Sequence, residues 1–153
     1  MSRGPSAQER QLGALRTLVQ FDIAKVGKRV ADSTRQRVQV EGEATDSGER
    51  CDTTAAELRI MSGRSPLNPA LLDSLGRIYR SQRRGYEKLQ VRLAEVRNME
   101  QQVRSKLAEL RNRELSLERA LLAERRKKQL KQQSQQAAVA DELWLQQISR
   151  VER

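Results

Sequence analysis

The 153-residue chain contains no histidine, one cysteine, three prolines and four aromatic residues. Without histidine it lacks the usual general base near neutral pH and the commonest metal ligand, so we expect neither a bound metal nor a cofactor. A single cysteine, Cys51, excludes an internal disulfide and is typical of proteins in a reducing compartment. The shortage of aromatic residues suits a narrow seam between two helices better than a broad core.

Long apolar segments and catalytic motifs are also missing. No eighteen consecutive residues are apolar, and residues 1–6 lead into Gln-Glu-Arg without an apolar segment, so we expect no membrane insertion and no secretory signal. The chain has no GxxxxGK[ST] loop and no paired cysteines, and its carboxylates are spread along predicted helices. These absences predict a cytoplasmic protein that is not an enzyme.

An uninterrupted heptad pattern fills the second half of the chain. From Leu72, alternating steps of three and four residues meet apolar side chains at twelve of fifteen positions, with no proline among them. A period of 3.5 sustained over seven heptads predicts a helix that packs along its length against another helix. The fifteen positions are Leu72, Leu75, Tyr79, Gln82, Tyr86, Leu89, Leu93, Val96, Glu100, Val103, Leu107, Leu110, Glu114, Leu117 and Leu121.

A cluster of turn residues precedes this helix. Gly63 and Pro66 can end an incoming helix, while Asn68 followed by Pro69 is a favourable N-cap with proline at the first helical position. A connection this short predicts antiparallel neighbours. We therefore predict an all-α fold, a long antiparallel two-helix coiled-coil hairpin with a C-terminal helical overhang. The predicted segments are a disordered N-terminus over 1–6, a helix over 7–62, a turn over 63–68, and a helix over 69–150 that overhangs from about 126.

The first helix has a less regular pattern. Residues 41–50 contain Gly42 and Gly48 and almost nothing apolar, so we expect this stretch to be frayed, kinked or stabilised only by its neighbour. Cys51 is interpreted as a small core residue. The apolar residues assigned to the packed face are Leu12, Leu15, Val19, Ile23, Val26, Val30, Val38, Cys51, Ala55 and Leu58.

The net charge of +10 is concentrated in the second half of the chain. Residues 67–153 carry nineteen basic and eleven acidic groups, or +8 of that total, and include the run from Arg125 to Lys128 followed by Lys131. Such a cluster favours an acidic partner or a polyanion. The alternative is a solvated helix face, partly balanced by pairs such as Glu100 with Arg104 and Glu124 with Lys128.

The apolar pattern changes phase after residue 132. A second stripe begins beyond the glutamine-rich segment 132–136, rotated by about 200° from the first. Its residues are Ala137, Ala140, Trp144, Ile148 and Val151. Trp144 is either an anchor for a partner protein or a residue that folds back against Leu12 and Leu15.

Nucleic-acid binding is the less favoured interpretation of the basic cluster. In leucine-zipper proteins the basic region precedes the heptads, whereas here it follows them. No aromatic residues alternate with the basic ones to stack on bases. We therefore expect no nucleic-acid partner.

The helical pattern, the Arg/Gln/Glu-rich composition and the C-terminal runs Ala123–Lys128 and Ala140–Trp144 resemble one bacterial family. These are the FliJ/YscO-like central-stalk proteins of type III secretion systems, either flagellar or Hrp-type injectisomes. The resemblance implies a cytoplasmic helical hairpin at the inner-membrane secretion apparatus. Such a hairpin inserts into a hexameric secretion ATPase, contacts an export gate protein, promotes protein export and handles secretion chaperones.

That role suggests two interaction sites. The ATPase-facing end would comprise Arg125, Arg126, Lys127, Lys128, Lys131 and Trp144, because a basic helix end suits a ring lumen lined with acidic loops. The hairpin tip would use Ile60, Met61, Leu67 and Leu71. Self-association is a further expectation. The competing functions are a generic coiled-coil scaffold or a chaperone-escort adaptor without an ATPase partner, and then a basic nucleic-acid-binding coiled coil.

Overall fold

The computed structural model describes residues 4–151, with side chains as far as Gln147. Helices α1 (Ala7–Ser62) and α2 (Pro69–Val151) pack against each other as a helical hairpin, and the described residues contain no strand. The predicted all-α hairpin is therefore confirmed. Residues 1–3 of the predicted disordered N-terminus, and the side chains of Ile148 and Val151, lie outside the described residues.

Local sequence accounts for both helix starts. At α1, the backbone N–H of Ser6 donates to Glu9 Oε2 at 2.7 Å, and the N–H of Glu9 donates to Ser6 Oγ at 3.1 Å. This reciprocal capping box satisfies two of the free donors at the helix N-terminus. At α2, Asn68 Oδ1 accepts the N–H of Leu71 at 3.2 Å, and Pro69 is the first helical residue. The start of α2 follows the predicted cap, whereas the capping box at the start of α1 was not predicted.

The hairpin contains two compact units. Unit 1 combines Met1–Ala24 with Ala108–Arg153, and unit 2 is Lys25–Leu107. In unit 2, the central buried cluster joins Val40 of α1 to Leu93 and Val96 of α2. In unit 1, Val19 of α1 and Leu110 and Leu121 of α2 are buried.

The predicted heptad pattern of α2 matches the burial of its side chains. All fifteen positions from Leu72 to Leu121 are buried or half-buried, while most of the intervening residues are exposed. Glu100, one of the three polar residues in the pattern, is only 5% exposed. The spacing therefore decides which face of α2 is packed, even at positions where the residue is charged.

The packed face of α1 differs from the prediction at two residues. Leu15 is 44% exposed and Val38 is 56% exposed, so their assignment to this face was wrong. Sixteen of the buried and half-buried positions follow a heptad that the apolar residues alone do not reveal, because six of these sixteen residues are polar. They are Glu9, Leu12, Arg16, Val19, Ile23, Val26, Val30, Ser33, Arg37, Val40, Ala44, Ser47, Cys51, Thr54, Leu58 and Met61.

Residues 41–50 form an uninterrupted part of α1, so they are not frayed. The packing agrees with the remaining expectation, stabilisation by the neighbouring helix, since Ala44 is buried and Gly48 lies against the ring of Tyr86. A Cβ atom at Gly48 would lie 3.2 Å from Tyr86 Cε2, closer than ordinary packing allows. Glycine there permits close approach of α1 to the aromatic ring. Cys51 is buried, as predicted for a small core residue.

Candidate protein-interaction surfaces

Glu9 holds the start of α1 against α2 within unit 1. Its carboxylate lies 3.6 Å from Lys128 Nζ and 3.9 Å from Arg125 Nε, and Lys128 Nζ also donates to the carbonyl oxygen of Gly4 at 3.0 Å. The hydrogen bond from the Ser6 N–H lowers the pKa of Glu9, and the two cations lower it further against the opposing effect of partial burial. The capping box thus positions one anion for two residues of the basic run.

The basic run is consequently divided between two environments. Arg125 and Lys128 contact Glu9 of α1, although the Arg125 side chain is still 68% exposed. Lys128 belongs to the packed end of unit 1, so the overhang predicted from about 126 begins after it. The exposed cations that make neither of these contacts with Glu9 are Arg126, Lys127 and Lys131.

Beyond Lys128, α2 has no packed side chain in its described part. Every side chain from Gln129 to Gln147 is exposed, including the large apolar residues Leu130, Leu143 and Leu145. Trp144 is 63% exposed. The alternative in which Trp144 folds against Leu12 and Leu15 is therefore not adopted, and the indole remains accessible to a partner.

The predicted tip residues lie at the turn of unit 2. Ile60, Leu67 and Leu71 are exposed, whereas Met61 is half-buried at the end of the α1 heptad. Backbone hydrogen bonds from Gly63 to the Arg59 carbonyl and from Arg64 to the Met61 carbonyl, each 3.3 Å, close the end of α1. Three of the four predicted tip residues are thus exposed.

Unit 1 has a charged layer between its helices that sequence reasoning missed. Arg16, at a heptad position of α1, pairs with Glu118, and its Nε lies 4.0 Å from Glu114 Oε1. Gln20 Nε2 also donates to Glu114 Oε1 at 2.8 Å. These contacts join positions on α1 to one turn of α2, so they favour one alignment of the two helices within this unit.

Unit 2 contains a larger polar network around Glu100. Its carboxylate accepts from Thr34 Oγ1 at 2.8 Å and lies 2.7 Å from both Arg37 Nε and Arg104 Nη2. The hydrogen bond from Thr34 lowers the pKa of Glu100, and Arg104 and Arg37 add to this effect while burial opposes it. Glu41 extends the network, because it lies 2.6 Å from both Arg37 and Arg97.

These networks change the interpretation of the polar heptad residues. The pair of Glu100 with Arg104, predicted as a surface contact, also joins the two helices through Arg37. The sequence did contain a signal for these networks. Glu100 and Glu114 occupy heptad positions of α2, and arginines that can pair with them are present in α1. Polar and charged residues at packed heptad positions are best known for fixing the register and partner choice of coiled coils.

The described residues contain no helix that is long and apolar enough to cross a membrane. Within the same part of the chain, no group of three or more His, Cys, Asp or Glu side chains is arranged to hold a metal ion. No protein-family model matches the chain, and neither a curated protein nor a solved structure shows significant similarity to it.

Proposed function

We propose that the protein is a cytoplasmic central stalk of a type III secretion ATPase complex. In this role it inserts the end formed by unit 1 into the hexameric ATPase ring and promotes protein export. The observation that carries the proposal is the end of α2, where exposed cations and an exposed tryptophan occur on a helix whose described side chains from Gln129 to Gln147 are all exposed.

The chemistry of this end suits insertion into a ring with acidic inner loops. Arg126, Lys127 and Lys131 are exposed on about one and a half turns of helix, which concentrates positive potential without a large folding cost. Exposed charges speed the association of two proteins and orient them toward each other. A large aromatic side chain supplies contact area once the two proteins meet. Trp144 provides such a side chain further along the same helix.

The proposed role also includes a contact with the export gate protein, and the turn of unit 2 suits that contact. Ile60, Leu67 and Leu71 are apolar and exposed around the turn of unit 2, where a partner could cover them. The proposal assigns the ATPase contact to the end of α2 and the gate contact to this turn. Handling of secretion chaperones would use either surface.

A capture experiment tests the ATPase contact. The purified protein, immobilised through the turn over 63–68 so that unit 1 stays unattached, is incubated with lysate of the source bacterium at several salt concentrations, and the bound proteins are identified by mass spectrometry. We expect the secretion ATPase to be retained, and retained less as salt rises, because screening shortens to about 8 Å at physiological ionic strength and further above it. Absence of the ATPase at low salt would contradict the proposal and favour a scaffold or adaptor.

Charge reversal then locates the contact. The informative variant reverses only the exposed cations: Arg126→Glu, Lys127→Glu and Lys131→Glu. Arg125 and Lys128 are left unchanged because their reversal would place carboxylates beside Glu9 and disturb the packed end of unit 1.

A matched control makes the same change in net charge on exposed residues of α2 in unit 2: Arg80→Glu, Arg84→Glu and Lys88→Glu. We expect the first variant to lose the ATPase and the control to keep it. Equal retention by the two variants would show that the contact uses another surface.

A further inference from the structure

The free end of α2 carries a second heptad that is unrelated to the packed one. The packed heptad of α2 would continue through Lys128, Lys131 and Gln135, whereas the second one lies two residues away, or about 200° around the helix. All of its members are exposed. They are Arg126, Leu130, Gln133, Ala137, Ala140 and Trp144.

We propose that this segment, residues 126–144, pairs in an antiparallel coiled coil with the same segment of a second copy of the chain. The two-fold axis would pass near Gln135. Such an interface is self-complementary, as two-fold symmetry requires, since each residue on one side of the axis meets a residue on the other side in the second copy.

The side chains of the second heptad complement one another in this alignment. Leu130 meets Ala140 of the second copy, so a large residue lies opposite a small one in both symmetry-related layers. Gln133 meets Ala137 near the axis. Arg126 meets Trp144 of the second copy, where the guanidinium can lie on the face of the indole.

Charges flanking the heptad favour the antiparallel arrangement. The segment begins with exposed cations and ends with the exposed anions Asp141 and Glu142. Lys127 and Asp141 occupy equivalent flanking positions of the second heptad, so each Lys127 would lie next to Asp141 of the other copy. A parallel pair would instead place like charges side by side. The direction of pairing follows from this charge distribution.

The composition of the interface predicts a weak, reversible dimer. Only Leu130 and Trp144 contribute large apolar surfaces, and glutamine and alanine fill the layers near the axis. Arg126 and Trp144 also belong to the surface assigned to the ATPase, so self-pairing and ATPase binding would exclude each other. Dimerisation is measured on the purified protein alone, and its failure is therefore distinct from failure of the proposed function.

A charge-swap cycle tests the pairing. Sedimentation equilibrium of the full-length chain gives the dimer dissociation constant for wild type, Lys127→Asp, Asp141→Lys and the double variant. We expect each single reversal to weaken dimerisation roughly tenfold, because two attractions become repulsions, and the double reversal to restore it. Glu142→Lys makes the same charge change at the neighbouring, outward position and is expected to have little effect.

Cysteine cross-linking in a Cys51→Ala background gives an independent measurement of the alignment. Ser134→Cys lies beside the proposed axis and should form a disulfide-linked dimer on mild oxidation. Gln135→Cys is equally exposed but points away from the interface, and it should cross-link much more slowly. A monomeric wild type, a double reversal that fails to recover, or equal cross-linking at both positions would overturn the proposal.

Discussion

Replacing Leu93 with alanine tests the packing of unit 2 within its central buried cluster. Leu93 is 5% exposed and packs with Val40 of the facing helix and Val96 of its own. The substitution removes three carbon atoms, Cγ and the two Cδ methyl carbons, and leaves space between the helices. Its cost has two parts, the lost transfer of apolar surface from water and the residual cavity.

The expected cost lies toward the lower end of the range for buried leucines. Leucine-to-alanine changes in deep cores cost about 2–5 kcal/mol, depending on how far the surroundings collapse. A seam between two helices has solvent along both edges, so its side chains can move into the vacated space more readily than those of a closed core. We therefore expect Leu93→Ala to lower the free energy of unfolding by about 2–3 kcal/mol.

Urea denaturation followed by circular dichroism measures the loss. The matched control is Val91→Ala, two residues away on the same helix, where the side chain is 61% exposed. Its expected effect is within about 0.5 kcal/mol. Similar losses for the two variants would refute the assignment of the packed face, as would an unchanged midpoint for Leu93→Ala.

Two further outcomes follow from the polar network and the glycines. Because the folded-state pKa of Glu100 is lowered from 4.5, its ionised form contributes stability that is complete above that pH and is lost as the pH falls through the lowered pKa. Thermal melts across this acidic range should therefore show a steeper loss of stability for wild type than for Glu100→Gln. Gly42→Ala should raise stability by up to about 1 kcal/mol, because helix propensity improves in open space. Gly48→Ala should gain less, since the added Cβ meets Tyr86, and an equal gain in urea midpoints would contradict that close contact.

The sequence predicts α2 more completely than α1 because the two heptads differ in composition. In α2, twelve apolar residues at fifteen positions reveal the packed face, and the exceptions, such as Glu100, are identified by spacing alone. In α1, Arg16 and Arg37 occupy packed positions while Leu15 and Val38 are exposed. Hydrophobicity therefore gives the wrong residues locally, since these arginines pair with carboxylates of the facing helix, Arg16 with Glu118 and Arg37 with Glu100.

The sequence predicts which residue types form the candidate surfaces, but not which of these side chains contact the facing helix. Four consecutive basic residues look equivalent in the sequence, yet Arg125 and Lys128 contact Glu9 while Arg126 and Lys127 remain exposed. That division depends on where α1 begins, which the Ser6 and Glu9 capping box determines. Trp144 is exposed because α2 continues beyond Lys128, past which every described side chain is exposed whichever face of the helix it lies on.

Stimulation of the cognate secretion ATPase by the purified protein tests the proposed function most directly. Hydrolysis is measured with wild type, with the variant reversed at Arg126, Lys127 and Lys131, and with the control reversed in unit 2, after circular dichroism has verified equal helicity. The proposal predicts that wild type and the control stimulate hydrolysis and that the reversed overhang does not. Equal stimulation by all three would contradict the assigned surface, and no stimulation by wild type would contradict the stalk function itself.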